Sequence, residues 1–202
     1  MPYSQFKTIG QALDAFDLTL EECSFLPDIV PVTPSALLSD YLADTLPAVS
    51  VAGSEKARSE GIVYPVLTEV RRVLKKQISL FSGEEFNVDV ALGLNGVCDF
   101  VLCRSPKQLL IQAPVVMLAE AKKADLAAGL GQCVAEMVAA QRFNRVHQVG
   151  IDSVYGCVTS GTQWLFLKLV EQVVTIDLVE YPLPPVEKVL GCLIWMVRSQ
   201  SV

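Results

Sequence analysis

Three ionisable residues lie inside two apolar stretches of the chain, where charged side chains are unusual. Asp99 lies in the stretch 97–102, and Glu120 and Lys122 lie in the stretch 115–123. Both stretches are rich in β-branched and apolar residues, which predicts two strands. An unpaired charge inside such a strand costs several kcal/mol. The three side chains therefore need partners or a chemical function.

Glu120 and Lys122 share one face of their strand, because side chains alternate along a strand. If the strand of Asp99 pairs beside it, two carboxylates and one ammonium group meet in a small area. A divalent cation relieves the repulsion between two carboxylates, because it prefers hard oxygen ligands. Lys122 could then hold or polarise a water molecule, which predicts metal-assisted hydrolysis of a phosphodiester. The structural alternative is an ordinary ion pair between Glu120 and Lys122, with Asp99 paired to a nearby arginine.

The spacing of these residues also resembles a known pattern. Asp99 is followed, after twenty intervening residues, by Glu120-Ala121-Lys122 near the end of an apolar strand. This arrangement resembles the PD-(D/E)XK nuclease superfamily, including uncharacterised bacterial members of it. One departure is that Cys98 stands where the superfamily motif often has proline before the aspartate. The resemblance covers about residues 54–180.

The resemblance implies a magnesium-dependent enzyme that hydrolyses DNA phosphodiester bonds. Asp99, Glu120 and the backbone carbonyl of Ala121 would bind Mg²⁺ or Mn²⁺, and Lys122 would position or activate the water and stabilise developing charge. The implied fold is α/β and restriction-endonuclease-like. It has an α-β-β-β-α-β core with a mixed central sheet flanked by helices.

The element pattern of the chain agrees with that order. A helix is predicted from about residue 54 to 78, with a bend at Pro65. Strands are then expected around 86–90, 97–102 and 115–121, with a turn at 94–96 between the first two. A helix over 125–142 and three more strand-like runs complete the pattern, at 153–159, 164–170 and 173–179.

Two glutamates of the 54–78 helix are candidates for the same site. Glu60 and Glu69 are nine residues apart, so at roughly 100° per residue they point to opposite sides of a regular helix. Glu60 lies at the edge of the apolar stripe and is expected to face the sheet more easily. In the resembled superfamily a glutamate of this helix often assists at the metal site, a role that would fall to Glu60.

The helix at 125–142 carries a second polar pair. Gln132 and Glu136 are spaced i and i+4 on a helix that is otherwise small and apolar. They face either solvent or a buried polar site. Many members of the superfamily have a glutamine near the metal on this helix, which resembles Gln132. Gly129 and Gly131 lower helix propensity by roughly 1 kcal/mol each relative to alanine, so another segment is expected to pack closely against them.

Both ends of the chain are expected as additions to the core of a single domain, 1–202. Residues 1–53 predict a helical lead-in, with one helix at 8–16 and another that starts after Pro34-Ser35 and ends before Pro47. Residues 181–202 predict a C-terminal helix that is apolar nearly all round. Such a helix must be covered by the same chain or by a second copy, and a homodimer is one hypothesis.

Composition places further limits on the protein. The chain is 51% hydrophobic and 19% charged, which favours a fully covered sheet or an oligomer interface. No apolar run is long enough for a transmembrane helix and no secretory signal is evident, so we expect a cytoplasmic protein without a membrane partner. The six cysteines have no Cys-x-x-Cys spacing, which favours reduced thiols over zinc or disulfides.

The net charge of −6 is unusual for a protein that binds DNA, because phosphate binding normally requires a basic surface. Two functions therefore stay open. The first is a nuclease, favoured by the complete set of Asp99, Glu120 and Lys122. The second is a catalytically inactive nuclease-like fold that acts as a homodimeric interaction or DNA-binding module.

Overall fold

One mixed sheet runs through the protein. The computed structural model describes residues 2–52, 54–123 and 125–199. The strands run in the spatial order β1-β7-β6-β5-β4-β3-β2, and β8 pairs with β6. Their bounds are β1 Thr19–Glu22, β2 Ser79–Glu85, β3 Val97–Cys103, β4 Val115–Ala121, β5 Val154–Thr159, β6 Gln163–Val170, β7 Val173–Ile176 and β8 Tyr181–Pro182. Pairing is parallel for β4–β5 and β1–β7 and antiparallel elsewhere.

Helices cover both faces of this sheet and enclose two apolar layers. Their bounds are α1 Ile9–Phe16, α2 Ala36–Ala52, α3 Glu55–Arg58, α4 Tyr64–Val73, α5 Ala127–Val146 and α6 Val186–Arg198. One layer contains residues of α2, α4 and α6, and the other contains residues of α1 and α5. The expected α/β class, with a mixed central sheet flanked by helices, is confirmed. Among the described residues, no helix is long and apolar enough to cross a membrane.

The N-terminal segment is part of the sheet and not only a helical lead-in. α1 begins at a capping box, in which Thr8 accepts from the backbone of Gln11 and the Gln11 side chain accepts from the backbone of Thr8. The next segment, β1, pairs with β7 in parallel and forms an edge of the sheet. β1 is a short, exposed strand with two acidic residues, so its sequence carries little strand signal.

The predicted end of α2 before Pro47 is wrong, because Pro47 lies inside the helix. A proline removes one backbone hydrogen bond but does not prevent helix formation when packing holds the next turn. Val49 supplies this packing: it is buried, and its side chain lies close to Gly61. A β-carbon at Gly61 would lie 2.8 Å from the Val49 side chain.

The predicted helix over 54–78 is interrupted and shorter. Ser54 caps it as expected, and the chain continues through α3, a π-helical turn at Ser59–Val63, and α4. Pro65 follows this turn, at the start of α4, where its missing N–H removes no helical hydrogen bond. α4 ends at Val73, and Lys75 and Lys76 adopt positive φ angles beyond it.

The strand predicted around 86–90 is also wrong. The strand that precedes β3 in the sequence and pairs with it is β2, which includes Ser82 and Gly83. Gly83 has a φ of 67°, a backbone conformation that glycine adopts without strain. Val90–Leu92 instead form a 3-10 turn capped by Asp89.

The apolar C-terminal helix α6 is covered by the same chain. Nearly all of its apolar residues are buried, and the backbone of Val30 lies against Gly191, where an added β-carbon would be 2.6 Å from the Val30 carbonyl oxygen. The apolar surface of α6, on which the homodimer hypothesis was based, is therefore covered by the same chain and does not require a second copy. All six cysteines are free, as expected, and five of them are buried.

Glu69 holds α4 to the start of α2, and we expect Glu69→Gln to lower the free energy of unfolding by about 2 kcal/mol. Its carboxylate accepts from the backbone and hydroxyl of Ser35 and from two nitrogens of Arg72. These Arg72 hydrogen bonds lower the pKa of Glu69 below its usual 4.5. The stabilisation is therefore present above that pH and is lost as the pH falls through the lowered pKa.

Urea denaturation at neutral and acidic pH measures this effect. Glu60→Gln is the matched control on the same helical segment, because Glu60 is exposed and, in the part of the chain that the structure describes, its ion pair is with exposed Lys56. A change of less than about 0.5 kcal/mol is expected for that control. Equal unfolding free energies for the two variants would contradict the anchoring role of Glu69.

Candidate active site

β3 and β4 bring Asp99 and Glu120 together at one end of their antiparallel pairing. The backbone register pairs Phe100 with Ala119, which sets Asp99 beside Glu120 one residue further along. At that point the side chain of Asp99 bonds the backbone of β4. Its Oδ2 accepts a hydrogen bond of 2.8 Å from the N–H of Ala121. Asp99 is thus paired with a backbone amide and, within the described part of the chain, forms no ion pair with an arginine.

Glu120 and Lys122 lie on the same side of the sheet, as predicted. Glu120 Oε1 forms an ion pair with Lys122 Nζ. Glu120 is 1% exposed, whereas the side chain of Lys122 is 19% exposed, so the pair lies at the boundary between the core and solvent. The N–H of Lys122 donates to the carbonyl of Thr159 at the end of β5, which fixes the position of the lysine backbone.

The glycines of α5 allow this helix to lie directly on the cluster, in agreement with the expected close packing. A β-carbon at Gly129 would lie 2.6 Å from the Val158 side chain and about 3 Å from the aliphatic part of Lys122. A β-carbon at Gly131 would lie 2.4 Å from the carbonyl oxygen of Thr8. The absence of a side chain at Gly129 therefore allows Lys122 to pack against α5, and the absence of one at Gly131 allows the N-terminal segment to do so.

Gln132 and Glu136 face a buried polar site, which decides between the two predicted environments. The side-chain nitrogen of Gln132 donates to Glu120 Oε2 at 2.9 Å and to Glu136 Oε1 at 3.0 Å. Glu136 is fully buried, and its second oxygen has no hydrogen-bond partner within residues 2–52, 54–123 and 125–199. Gln132 therefore bridges two carboxyl groups, one on the strand and one on the helix.

The carboxyl groups repel one another in a medium of low polarity. Burial, and secondarily the charge of Asp99, raise the pKa of Glu120 to about 8, although Lys122 opposes this shift. Burial also raises the pKa of Asp99, against the hydrogen bond from Ala121. The pKa of Glu136 is raised well above its usual range, first by burial and then by Glu120. Burial and the repulsion between the carboxylates therefore both favour the protonated forms of these glutamates.

Lys122 keeps its proton. Burial lowers the pKa of this lysine, but the adjacent Glu120 carboxylate outweighs burial and the net pKa is raised. An ammonium group cannot act as a general base, because it has no free electron pair. It can stabilise negative charge and orient a water molecule.

Glu60 and Glu69, the two glutamates predicted as candidates for this site, lie in different environments. Glu60 is exposed, and it borders a cavity of about 250 Å³ with Tyr64 and Phe100. Phe100 belongs to the apolar layer of α4, whereas Glu120 faces α5. Glu69 is the buried one of the two, at 4% exposed, but its carboxylate is bound to Ser35 and Arg72 and not directed at the cluster.

Glu55, which sequence reasoning missed, contributes to the site. Its charge raises the pKa of Asp99, Glu120 and Lys122, so it lies within electrostatic range of all three. In the sequence, Glu55 looks like any acid in the first turn of a helix, where it stabilises the N-terminus. The π-helical turn also shifts the helix phase between Glu55 and Glu69, so a regular helical wheel gives wrong faces across it.

The oxygen donors of the site are of the kind that magnesium and manganese bind. Asp99 and Glu120 present two adjacent carboxylates, and Ala121 adds a backbone carbonyl between Glu120 and Lys122. Within residues 2–52, 54–123 and 125–199, no group of three or more His, Cys, Asp or Glu side chains is arranged to hold a metal ion.

No protein-family model, curated protein or solved structure matches this chain. The function must therefore be argued from the residues of the site.

Proposed function

We propose that this protein is a metal-dependent nuclease with a restriction-endonuclease-like core that hydrolyses DNA phosphodiester bonds. The observation that carries the proposal is the group formed by Asp99, Glu120 and Lys122. Two carboxylates lie together at a strand end beside an ammonium group, and burial keeps their pKa values raised. Such mutual repulsion is unfavourable in a purely structural site, and a bound divalent cation removes it.

Asp99 and Glu120 would hold the cation, together with the Ala121 carbonyl. A bound Mg²⁺ or Mn²⁺ supplies Lewis-acid stabilisation of phosphate charge and a more acidic water. The hydrogen bond from Ala121 leaves the second oxygen of Asp99 as its available donor. Glu60 stays a prediction as the residue that assists a second ion, and the position of Glu55 makes it an additional candidate.

Lys122 and Gln132 organise the carboxylates and the reacting phosphate. The Lys122 ammonium, which keeps its proton, stabilises the negative charge that develops on the phosphate oxygens and orients the attacking water. Gln132 fixes the rotamer of Glu120 through the 2.9 Å hydrogen bond. Glu136 in turn accepts from Gln132, so the amide nitrogen is directed toward the two carboxyl groups.

Incubation of the purified protein with duplex DNA tests this proposal. We expect cleavage with Mg²⁺ or Mn²⁺ and none with the chelator EDTA. Protein carrying Asp99→Asn, purified in the same way, controls for contaminating nucleases. Absence of cleavage by the unmodified protein with either metal, on single-stranded and duplex DNA and on RNA, would contradict a nuclease function.

Metal binding should depend on pH because the cation and a proton compete for Glu120. Its pKa of about 8 means that metal-free protein holds this proton at neutral pH. Binding then releases the proton, so affinity should rise about tenfold per pH unit and level off above that pKa. Calorimetry in buffers of different ionisation enthalpy measures the released proton. Affinity that stays constant as the pH is lowered from about 8 would contradict the raised pKa.

The net charge of −6 supports the second candidate, a catalytically inactive fold that serves as an interaction module. Such a module does not require a divalent cation. Nucleic-acid binding that is unchanged by Asp99→Asn, without cleavage, would favour this candidate. Its homodimeric form has no support from α6, which is covered within the chain.

A further inference from the structure

Arg58 is a partly buried cation with an unused hydrogen-bond donor. It lies at the end of α3, where its Nη1 donates to the carbonyl oxygen of Ser160 at 3.2 Å. Its Nε is buried and has no hydrogen-bond partner among the residues that the structure describes. Buried donors in proteins are nearly always paired, so an unpaired guanidinium nitrogen requires a physical reason.

The guanidinium of Arg58 lies outside the ion pairs of the described residues, although its neighbour Lys56 pairs with Glu60. A guanidinium that is removed from water without a counter-charge is unfavourable. An anion that contacts the accessible part of this guanidinium would supply the missing charge. Phosphate fits best, because it accepts two parallel hydrogen bonds from one edge of a guanidinium.

The turn at 160–162 contributes hydroxyl groups beside this arginine. Ser160 Oγ and Thr162 Oγ1 lie 3.3 Å apart, and only one of them can donate to the other in that contact. The other hydroxyl proton is available for a ligand. The turn is rigid: Gly161 has a φ of 84° and packs against Ile62, and its N–H donates to Thr159 Oγ1. Its position relative to Arg58 is therefore fixed before any ligand binds.

The arginine and this turn adjoin the carboxylate cluster. Ser160 directly follows Thr159, and the Thr159 carbonyl accepts from the N–H of Lys122 at 2.8 Å. Glu55, one helical turn before Arg58, acts electrostatically on the cluster. α3 and the 160–162 turn thus lie along the same end of β4 and β5 as the proposed reaction centre.

We propose that Arg58, with a hydroxyl of Ser160 or Thr162, binds a phosphate group of a nucleic-acid strand next to the phosphate that is cleaved. The site rests on the proposed nuclease function for its substrate but makes a separate physical claim about Arg58. It positions the strand across the cluster. It also gives an acidic protein a local cationic contact with DNA.

Nuclear magnetic resonance of the arginine Nε–Hε group tests this claim without any cleavage. The signal of Arg58 is assigned by its disappearance in Arg58→Lys and is then followed in metal-free protein. Two probes are added separately: inorganic phosphate and a short DNA duplex. We expect a saturable shift with both probes, and DNA binding about tenfold weaker in Arg58→Gln because two charge-assisted hydrogen bonds are lost.

Lys56→Gln is the matched control, since Lys56 lies two residues away and its side chain is 82% exposed. Loss of the same charge there should change DNA affinity by less than about twofold. Thermal unfolding of both variants verifies that they fold. Equal weakening by the two substitutions would indicate a general charge effect and would overturn the site. A shift with inorganic phosphate but not with DNA would also overturn it.

Cleavage measurements separate this inference from the proposed function. If the Arg58 resonance shifts with DNA but the protein cleaves no DNA with Mg²⁺ or Mn²⁺, the phosphate site is supported and the nuclease function is contradicted. If the protein cleaves DNA, but the Arg58 resonance does not shift and the KM of Arg58→Gln is unchanged, the nuclease function is supported and the phosphate site is contradicted. A shift together with a raised KM in Arg58→Gln supports both claims.

Discussion

Glu120→Gln should reduce the rate of DNA cleavage at saturating metal by at least about a thousandfold, which corresponds to about 4 kcal/mol of lost transition-state stabilisation. The substitution keeps the size of the side chain and its contact with Gln132 but removes the charge that would hold the cation. A folded but inactive protein is expected, because the neutral amide does not suffer the repulsion that raises the pKa of Glu120.

The rate is measured on a labelled duplex under single-turnover conditions, so that product release does not mask the chemical step. Glu22→Gln is the matched control, because Glu22 is an exposed glutamate of β1 at the opposite edge of the sheet. It should cleave at the unmodified rate. A Glu120→Gln variant that retains a tenth or more of the activity would show that this carboxylate is not required.

Lys122→Met should lower the cleavage rate by about a hundredfold to a thousandfold while the metal still binds. The raised pKa of Lys122 keeps the side chain charged, so its contribution is the stabilisation of developing negative charge. Methionine preserves the aliphatic contact with Gly129 and removes only the ammonium group. The expected signature is a reduced kcat at a metal concentration that saturates the variant, because the ammonium group no longer stabilises charge on the phosphate.

Lys123→Met is the control for this prediction, because Lys123 is the adjacent residue and is exposed. It should retain the unmodified kcat. If Lys122→Met cleaves normally, or if the loss arises from failure to bind metal, the proposed role of the ammonium group is wrong. The structural alternative, in which Lys122 serves only as an ion-pair partner of Glu120, would then be favoured.

The central strands and their chemistry could be predicted because their signals are local. Alternation along β4 places Glu120 and Lys122 on one face whatever the neighbours are, and i, i+4 spacing places Gln132 beside Glu136. The glycines at 129 and 131 predicted close packing without identifying the neighbour. For Gly129 this neighbour includes Lys122 itself, and for Gly131 it is the N-terminal segment.

The errors arose where tertiary packing or a local irregularity overrides a regular pattern. The π-helical turn at Ser59–Val63 changes the phase of the helix, so a regular helical wheel does not extend from Glu55 to the later residues, and Glu55 was missed. Packing of Val49 on Gly61 extends α2 past Pro47. β1 was missed because its stability comes from pairing with β7, a partner far away in the sequence.

The most direct test of the central claim is calorimetric titration of Mg²⁺ or Mn²⁺ into metal-free protein. It is carried out on the unmodified chain and on Asp99→Asn, Glu120→Gln and the Glu22→Gln control. Saturable binding to the unmodified and control proteins, with loss of binding in both site variants, is the predicted result. Absence of binding, or binding that is indifferent to both site substitutions, would contradict the metal site and with it the nuclease mechanism.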